Sequence, residues 1–439
     1  MIRKTIAINK NRKELSAISG ILFFLNLINT LNLEGILGTL LPKSIRKSAI
    51  SNKYKFIIGV FAFITGADCI EDLDSLRNDP IFAKVTNHAI SSTTMGKFIR
   101  TIPLKYIQRL EKFLPQLALQ LRHKLAPNDK EIIITMDSTP HQQYGQQMEG
   151  VAWNYKKIWC LDSQNAFDQY GLCYGWHLRA GNTYSSKGAA DMIDSIFAKI
   201  PKLYKLYFRA DSAYSTTRIY NTLLMKNIDF AICLKENVWQ PLLKSNFHNM
   251  KWKKTKIQFF ESNKCQIAST AYPVKGLEGR SFLRVVFIRA PKPKQKAGLH
   301  YRYYAIVTNM SEYERSNEQI IQFYRRRAQA ENNIKDLKYG MDFLHFPSGK
   351  LNANRMWGLM GIFAYNLMRY SSFLVSPRGC FLKKVRQKLV FIAGRVVDHA
   401  RKLHIHFSNN NFKEVQKFLE KIQNNQVVYY GQIERCSSA

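Results

Sequence analysis

Glu131-Ile132-Ile133-Ile134-Thr135-Met136-Asp137 breaks a long helical texture with a β-branched run that closes on a carboxylate. Such a run is the mark of a buried strand. Ile158 to Leu161 and Leu172 to Leu178 offer two further strands, and Asp162 to Gly171 between them reads as a hairpin turn. The polar stretch Gly181 to Ser186 caps a helix expected over Lys187 to Ile200. Leu206-Tyr207-Phe208-Arg209-Ala210-Asp211 is then another strand with a carboxylate at its end. Helix Thr216 to Lys226 and strand Phe230 to Leu234 follow. Three neighbouring strands and then alternating helix and strand describe an α/β fold, a mixed sheet covered by helices.

Upstream, residues 1–127 read as helices: Ile18 to Leu41, Lys53 to Ile64, Asp68 to Asn78, Thr93 to Arg100 and Leu104 to Leu125. Several short helices with basic ends suit a DNA-binding module, with Thr93 to Arg100, capped by Ser91-Ser92, as a recognition helix or else a packing helix of a small bundle. Downstream, residues 236–309 hold short β-prone pieces and basic turns with no helical period, which reads as a β-rich insertion. Asn352 to Phe373 is a strongly apolar helix, and Phe381 to Leu403 is expected as a basic amphipathic one.

The chain carries 66 Lys and Arg against 31 Asp and Glu, a formal charge of +35 spread along its whole length. A field of that sign and extent points to a polyanion. At 46% hydrophobic and 13% aromatic residues the chain has material for substantial cores and is no disordered basic protein. Seven scattered cysteines without a CxxC pair read as reduced thiols in a cytoplasmic protein. The apolar stretch Ile21 to Leu41 is interrupted by Asn26, Asn29, Asn32 and Glu34, against the roughly 20 apolar residues a spanning helix needs, so no membrane partner is expected. Met1 to Lys13 is basic but lacks the apolar core of a secretory leader.

Two carboxylates at strand ends gain meaning from a third. In the segment Tyr324 to Lys338, an α-helix places Tyr324, Arg327, Glu331 and Lys338 within a sector of roughly 60°. One carboxylate among cations is what metal-assisted phosphoryl transfer needs: the acid holds a divalent cation while the bases hold DNA phosphate. The same spacing also describes an ordinary ion-paired surface helix. Asp137, Asp211 and Glu331 together supply the bridging and flanking ligands that two ions about 3.5 to 4 Å apart require.

This ordered set, Met-Asp-Ser-Thr at Asp137, Arg-Ala-Asp-Ser-Ala-Tyr at Asp211 and Y-(2)-R-(3)-E-(6)-K from Tyr324 to Lys338, resembles the bacterial insertion-sequence transposases of the DDE class. It is similar to the branch with a Y-R-E-K helix and a β-rich insertion ahead of the glutamate. Gly66 to Leu73, Leu178 to Thr183 and Arg395-Val396-Val397 match as well, with Ala180 where members often place proline. The resemblance implies an RNase H-like core split into 128–235 and 310–375, a helical DNA-binding region 1–127, the insertion 236–309 and a basic helical region 376–439. It also implies two Mg²⁺ ions per site, with Mn²⁺ as a substitute, held by Asp137, Asp211 and Glu331. The implied activity is cut-and-paste movement of a DNA element bounded by terminal inverted repeats, in the bacterial cytoplasm at the nucleoid. A homodimer pairing two DNA ends follows from the resemblance and from the length of the apolar helix Asn352 to Phe373.

Other residues compete for these roles. Asp162 and Asp168 bracket the expected turn, and Asp191 falls inside a helix, so each ranks below Asp211. His141 reads as a polar loop residue, since no nucleophile elbow accompanies it. No H-x-x-x-H pair with a nearby glutamate supports zinc, and no Walker lysine supports an ATP-dependent step. Trp239 and Trp252 lie among lysines, where they would either stack on an unpaired base or fill a small β core. A DNA-binding protein without catalysis would carry a broken carboxylate set, and a plain metal-dependent nuclease would not need the helical N-terminus or the insertion.

Overall fold

A computed structural model describes residues 15–44, 48–86, 90–145, 147–259, 261–291, 301–399 and 402–407. Five strands form the centre: β1 (Glu131–Gln142), β2 (Trp159–Phe167), β3 (Cys173–Ala180), β4 (Lys205–Ala210) and β5 (Asp229–Cys233). Their order is β3-β2-β1-β4-β5, with β2 antiparallel to both β1 and β3, and β4 parallel to both β1 and β5. The strands expected from the β-branched runs are all present. β1 and β2 are longer than expected, because they pair with each other from Thr135 opposite Phe167 to Gln142 opposite Cys160.

The insertion does not stand apart from this sheet. Its strands β6 (Cys265–Tyr272), β7 (Leu283–Pro291) and β8 (Tyr301–Thr308) form an antiparallel meander, and β8 pairs with β5, so one ten-stranded sheet runs through both. The insertion also opens on a helix, Glu236–Asn246, where no helical period was expected. Pro241 interrupts the pattern, yet Val238, Trp239, Leu242 and Leu243 still form a stripe against the core.

Helices cover the sheet. Among them are α1 (Asn52–Thr65), α2 (Ser92–Thr101), α3 (Leu104–Leu125), α4 (Ala189–Phe197) and, late in the chain, α5 (Leu351–Val375). The expected helix Ile18 to Leu41 is two helices, Ile21–Thr30 and Leu33–Leu40, broken where Asn32 takes a left-handed conformation. α5 is apolar all round because it is buried all round, against α1, α2, α3 and β3. Gly358 and Gly361 let Trp176 and Phe343 approach its backbone, since a Cβ there would lie 2.2 and 2.4 Å from those rings. Asn366, fully buried on α5, accepts from the Cys173 amide and donates to the Cys173 carbonyl, which satisfies the open edge of β3. A helix in this position offers no free face to a second copy, so the ground for a dimer taken from its length falls away. α2 buries Met95, Phe98 and Ile99, with Thr93, Lys97 and Arg100 exposed on the other side.

The largest departure lies after Phe381. In place of a continuous amphipathic helix there is one turn (Leu382–Val385), a π-helical turn (Arg386–Val390) and two antiparallel strands, Gly394–His399 and Lys402–Phe407. Arg386, expected on a basic surface, is drawn inward to donate to the Phe63 and Ile64 carbonyls at the C-terminal end of α1 and to the Gly340 carbonyl. The β-branched pair Val396-Val397 then favours extended backbone. The first of the two strands also pairs with Leu15–Ser16, so the two ends of the described chain meet. No single helix among the described residues is long and apolar enough to cross a membrane.

Candidate active site

The parallel pairing of β1 with β4 ends at Met136 opposite Ala210, and the next residues of the two strands are Asp137 and Asp211. Neighbouring strands in register thus bring the two carboxylates together. Asp211 leaves the strand and caps a short 3₁₀ turn, accepting from the Ala213 amide at 2.9 Å. Asp137 lies within β1, whose pairing with β2 carries the strand on to Gln142. Its Oδ1 accepts from the Ser138 amide at 2.9 Å, and its Oδ2 accepts from Arg327 Nη1 at 3.1 Å. Burial pushes the Asp137 carboxyl up to about 6; Arg327 opposes that rise and the charge of Asp211 adds to it.

The signature segment is helical but not uniform. An α-helix, Asn317–Arg325, passes through a 3₁₀ turn (Arg326–Ala328) into α-helix Gln329–Lys335 and then a π turn (Asp336–Gly340). Its four signature residues therefore do not share one wall. Tyr324 is buried behind the others, its hydroxyl accepting from that of Tyr304 at 3.0 Å. Arg327 reaches the Asp137 carboxylate, Glu331 is exposed, and Lys338 is half-buried. Arg209 clamps this segment to the sheet: its guanidinium donates to Thr135 Oγ1 at 3.2 and 3.0 Å and to the Phe323 carbonyl at 2.9 Å.

Asp162 is not in a turn. It lies on β2 opposite Pro140 of β1 and opposite Arg179 of β3, and it accepts from Arg179 Nε at 2.7 Å. Burial raises its carboxyl to about 6 against the pull of Arg179, and the charge on Asp137 adds to the rise. Arg179 also donates to the Lys187 and Ser185 carbonyls, Gln164 donates to the Ser185 carbonyl, and the Ser138 hydroxyl donates to that of Ser185. Together these bonds pin the loop from Gly181 to Lys187 against the strands. Gly181 is required at its start, since a Cβ would lie 1.9 Å from the Cys160 carbonyl oxygen. A hairpin turn does form, but later, around Asp168, whose Oδ1 accepts from the Tyr170 and Leu172 amides. Asp191 is exposed on α4 and paired with Arg218.

His141 is no loop residue. It sits on β1, fully buried, with Nδ1 2.6 Å from the Phe343 carbonyl oxygen and Nε2 2.8 Å from Ser163 Oγ. Burial, with Lys338 nearby, lowers its pKa to about 3. It is a neutral core residue.

Asp137, Asp211 and Glu331 border one cleft of about 940 Å³, together with Lys156, Lys235, Lys335 and Lys338. Trp239 and Trp252 are not on it. They pack with Tyr303 at ring-centroid distances of 6.1 and 6.0 Å, and the Arg289 guanidinium lies 4.0 Å from the Trp252 ring. The aromatic residues that do line the cleft are Trp153, Tyr155, Tyr184 and Tyr339. Only their neighbouring lysines, Lys156 and Lys335 among them, signal them in the sequence.

Three carboxylates without cysteine or histidine are hard oxygen donors, the chemistry of Mg²⁺ rather than zinc. Asp137, raised by burial beside Asp211, is the group a divalent cation would hold ionised. Among the described residues no three such side chains are already gathered around one ion position, and Asp137 is engaged with Arg327 instead. The family model described as "Transposase DDE domain group 1" matches residues 1–427. No curated protein matches the chain.

Proposed function

We propose, from the premise that the chain belongs to the DDE transposase family, that it cuts at the terminal inverted repeats of a DNA element and joins the freed ends to target DNA. Transposases act on DNA, and members of this family generally use divalent metal ions. The observation that carries the reading is the meeting of Asp137, Asp211 and Glu331, from two strands and a distant helix, on one lysine-bordered cleft. The strand order β3-β2-β1-β4-β5 supports an RNase H-like core, and α2 with its exposed Lys97 and Arg100 supports end binding from the N-terminal region.

Asp137, Asp211 and Glu331 would hold two Mg²⁺ ions, which when bound supply activation of water or of a 3′-hydroxyl and stabilise the leaving oxygen. The chain's own contribution is placement. Arg209 fixes the helix against the sheet, and the anchored 181–187 loop forms the opposite wall. Arg327 and Lys338 neutralise the phosphate beside the scissile bond, and Lys156, Lys235 and Lys335 extend that field along the cleft. Pairing of two ends by a homodimer in a synaptic complex rests on the family resemblance. Incubation of the purified protein with a repeat-end duplex and Mg²⁺, with and without a target plasmid, tests the reading. Cleavage plus joining supports it, cleavage alone indicates a nuclease, and binding alone indicates a DNA-binding protein without catalysis.

A further inference from the structure

The cleft is bordered by exposed aromatic rings as well as by lysines. Trp153, Tyr155, Tyr184 and Tyr339 are between 56% and 86% exposed, and all four line it. Single exposed aromatics are ordinary on a protein surface, whereas four around one cationic cleft form a patch. Lysines are set among them: Lys235 Nζ lies 5.5 Å from the Tyr184 ring centroid, and Lys156 Nζ lies 5.5 Å from that of Tyr155.

Each of these rings stands on fixed backbone. Tyr155 is at the tip of the β-hairpin leading into β2, where Asn154 Oδ1 accepts from the Lys156 and Ile158 amides and the Asn154 amide donates to the Ile158 carbonyl. Trp153 precedes that tip and leans on Trp159 at 5.4 Å. Tyr184 sits in the loop anchored through Ser185, and Tyr339 is exposed on a π turn in which Asp336, Leu337 and Gly340 are buried and Lys338 is half-buried. Rings presented on a rigid frame lose little freedom when a flat ligand stacks on them. Phosphate-tracking lysines interleaved with such rings are the combination that holds single-stranded nucleic acid, because every base offers a face to stack.

We infer that this rim is a stacking site for unpaired nucleotides of the DNA strand lying in the cleft, with Tyr155 and Tyr184 as its main platforms. The inference rests on the DNA-cleaving reading of the same cleft and names the form of substrate it takes: a strand locally freed from its partner, rather than intact duplex.

The test is equilibrium binding without divalent metal, in EDTA at fixed ionic strength, so that it stays separate from cleavage. Fluorescence anisotropy would compare a labelled oligothymidylate with a duplex of equal length, on wild type and on Tyr155→Ala, Tyr184→Ala and the double variant. Each single change is expected to weaken single-strand binding roughly tenfold, with duplex binding changed less than twofold. A single strand carrying 5-iodouracil should, on irradiation, crosslink to peptides containing Tyr155 or Tyr184. Equal affinity of wild type and variants for the single strand, equal losses on both DNAs, or crosslinks confined to peptides outside the rim would each overturn the site. Cleavage and joining that persist beside such a result leave the transposase reading standing. Stacking without any cleavage would remove that reading and leave the site.

Discussion

Two arginine–carboxylate pairs have their aspartates on neighbouring strands and differ in how they are held. Asp162 and Arg179 pair across β2 and β3, with side chains 10% and 6% exposed, and the guanidinium is further occupied by two loop carbonyls. Asp137 and Arg327 pair between sheet and helix through one 3.1 Å contact at the edge of the cleft. Both aspartates are pushed up to about 6 by burial. The difference is in how many bonds each arginine has elsewhere. Arg179 is committed to holding a loop, while Arg327 makes one bond to Asp137, so that under the proposed reading its remaining donors would meet a phosphate and Asp137 would pass to a cation. Similar electrostatics thus belong to a pair bonded on all sides in one place and to one with a single bond beside a cleft in another.

The sharpest way to break this comparison is to remove the carboxylates of the second region. Changing Asp137, Asp211 or Glu331 to Ala is expected to abolish strand cleavage with end binding nearly intact, because affinity comes from cations. Ordinary cleavage by any one purified variant would take that residue out of the site. Next is Arg179→Ala, which leaves Asp162 buried and unpaired and should cost about 3 to 5 kcal/mol in denaturant unfolding. Arg327→Ala, at a pair with side chains 18% and 16% exposed and with the Ser138 amide still bonded to Asp137, should cost clearly less. Similar losses for both would erase the distinction between them.

Smaller effects sharpen the same contrast. Neutralising Arg327 or Lys338 should lower the salt dependence of end binding by about one unit of slope for each phosphate that the variant no longer neutralises. Slopes equal to wild type would mark both as structural cations. His141 shows a third way to bury a polar group, uncharged. Its folded pKa of about 3 lies below the ordinary 6.5, so the unfolded chain takes up a proton that the native state refuses. Its contribution is whole above pH 6.5 and is lost as pH falls through that window, at about 1.4 kcal/mol per unit. Unfolding curves from pH 7 to 4.5 should fall less steeply for His141→Gln than for wild type, and parallel curves would exclude the effect.

The strands of the core were legible because runs such as Ile132-Ile133-Ile134 have no good alternative to a buried strand, and the two aspartates came with them. Glu331 was singled out through its spacing from Arg327 and Lys338, and it borders the cleft with the two aspartates. What spacing could not show was the 3₁₀ and π turns, or that Tyr324 is buried while Arg327 reaches Asp137 and Lys338 borders the cleft. Asp162 was misjudged because polar Asp162-Ser163-Gln164-Asn165 reads as a loop, yet each side chain finds a partner, Gln164 in the neighbouring 181–187 loop and the other three within the sheet. The stretch after Phe381 failed for a similar reason: Arg386 looks like a surface base and acts as a half-buried cap on a helix over 300 residues earlier in the chain. For the aromatics, nearness to lysines in sequence picked Trp239 and Trp252, but exposure is a tertiary property, and it belongs to Trp153, Tyr155, Tyr184 and Tyr339.

The pairing of Leu15–Ser16 with Gly394–Arg395 has a consequence in time. The Ser19 and Gly20 amides also donate to the Ile392 and Val390 carbonyls, and a Cβ on Gly20 would lie 1.7 Å from the Leu389 carbonyl oxygen. During synthesis the first of the described helices therefore wait for a partner that lies over 350 residues later in the chain. A product terminated before that segment would lack these pairings and the closure they give the first helices.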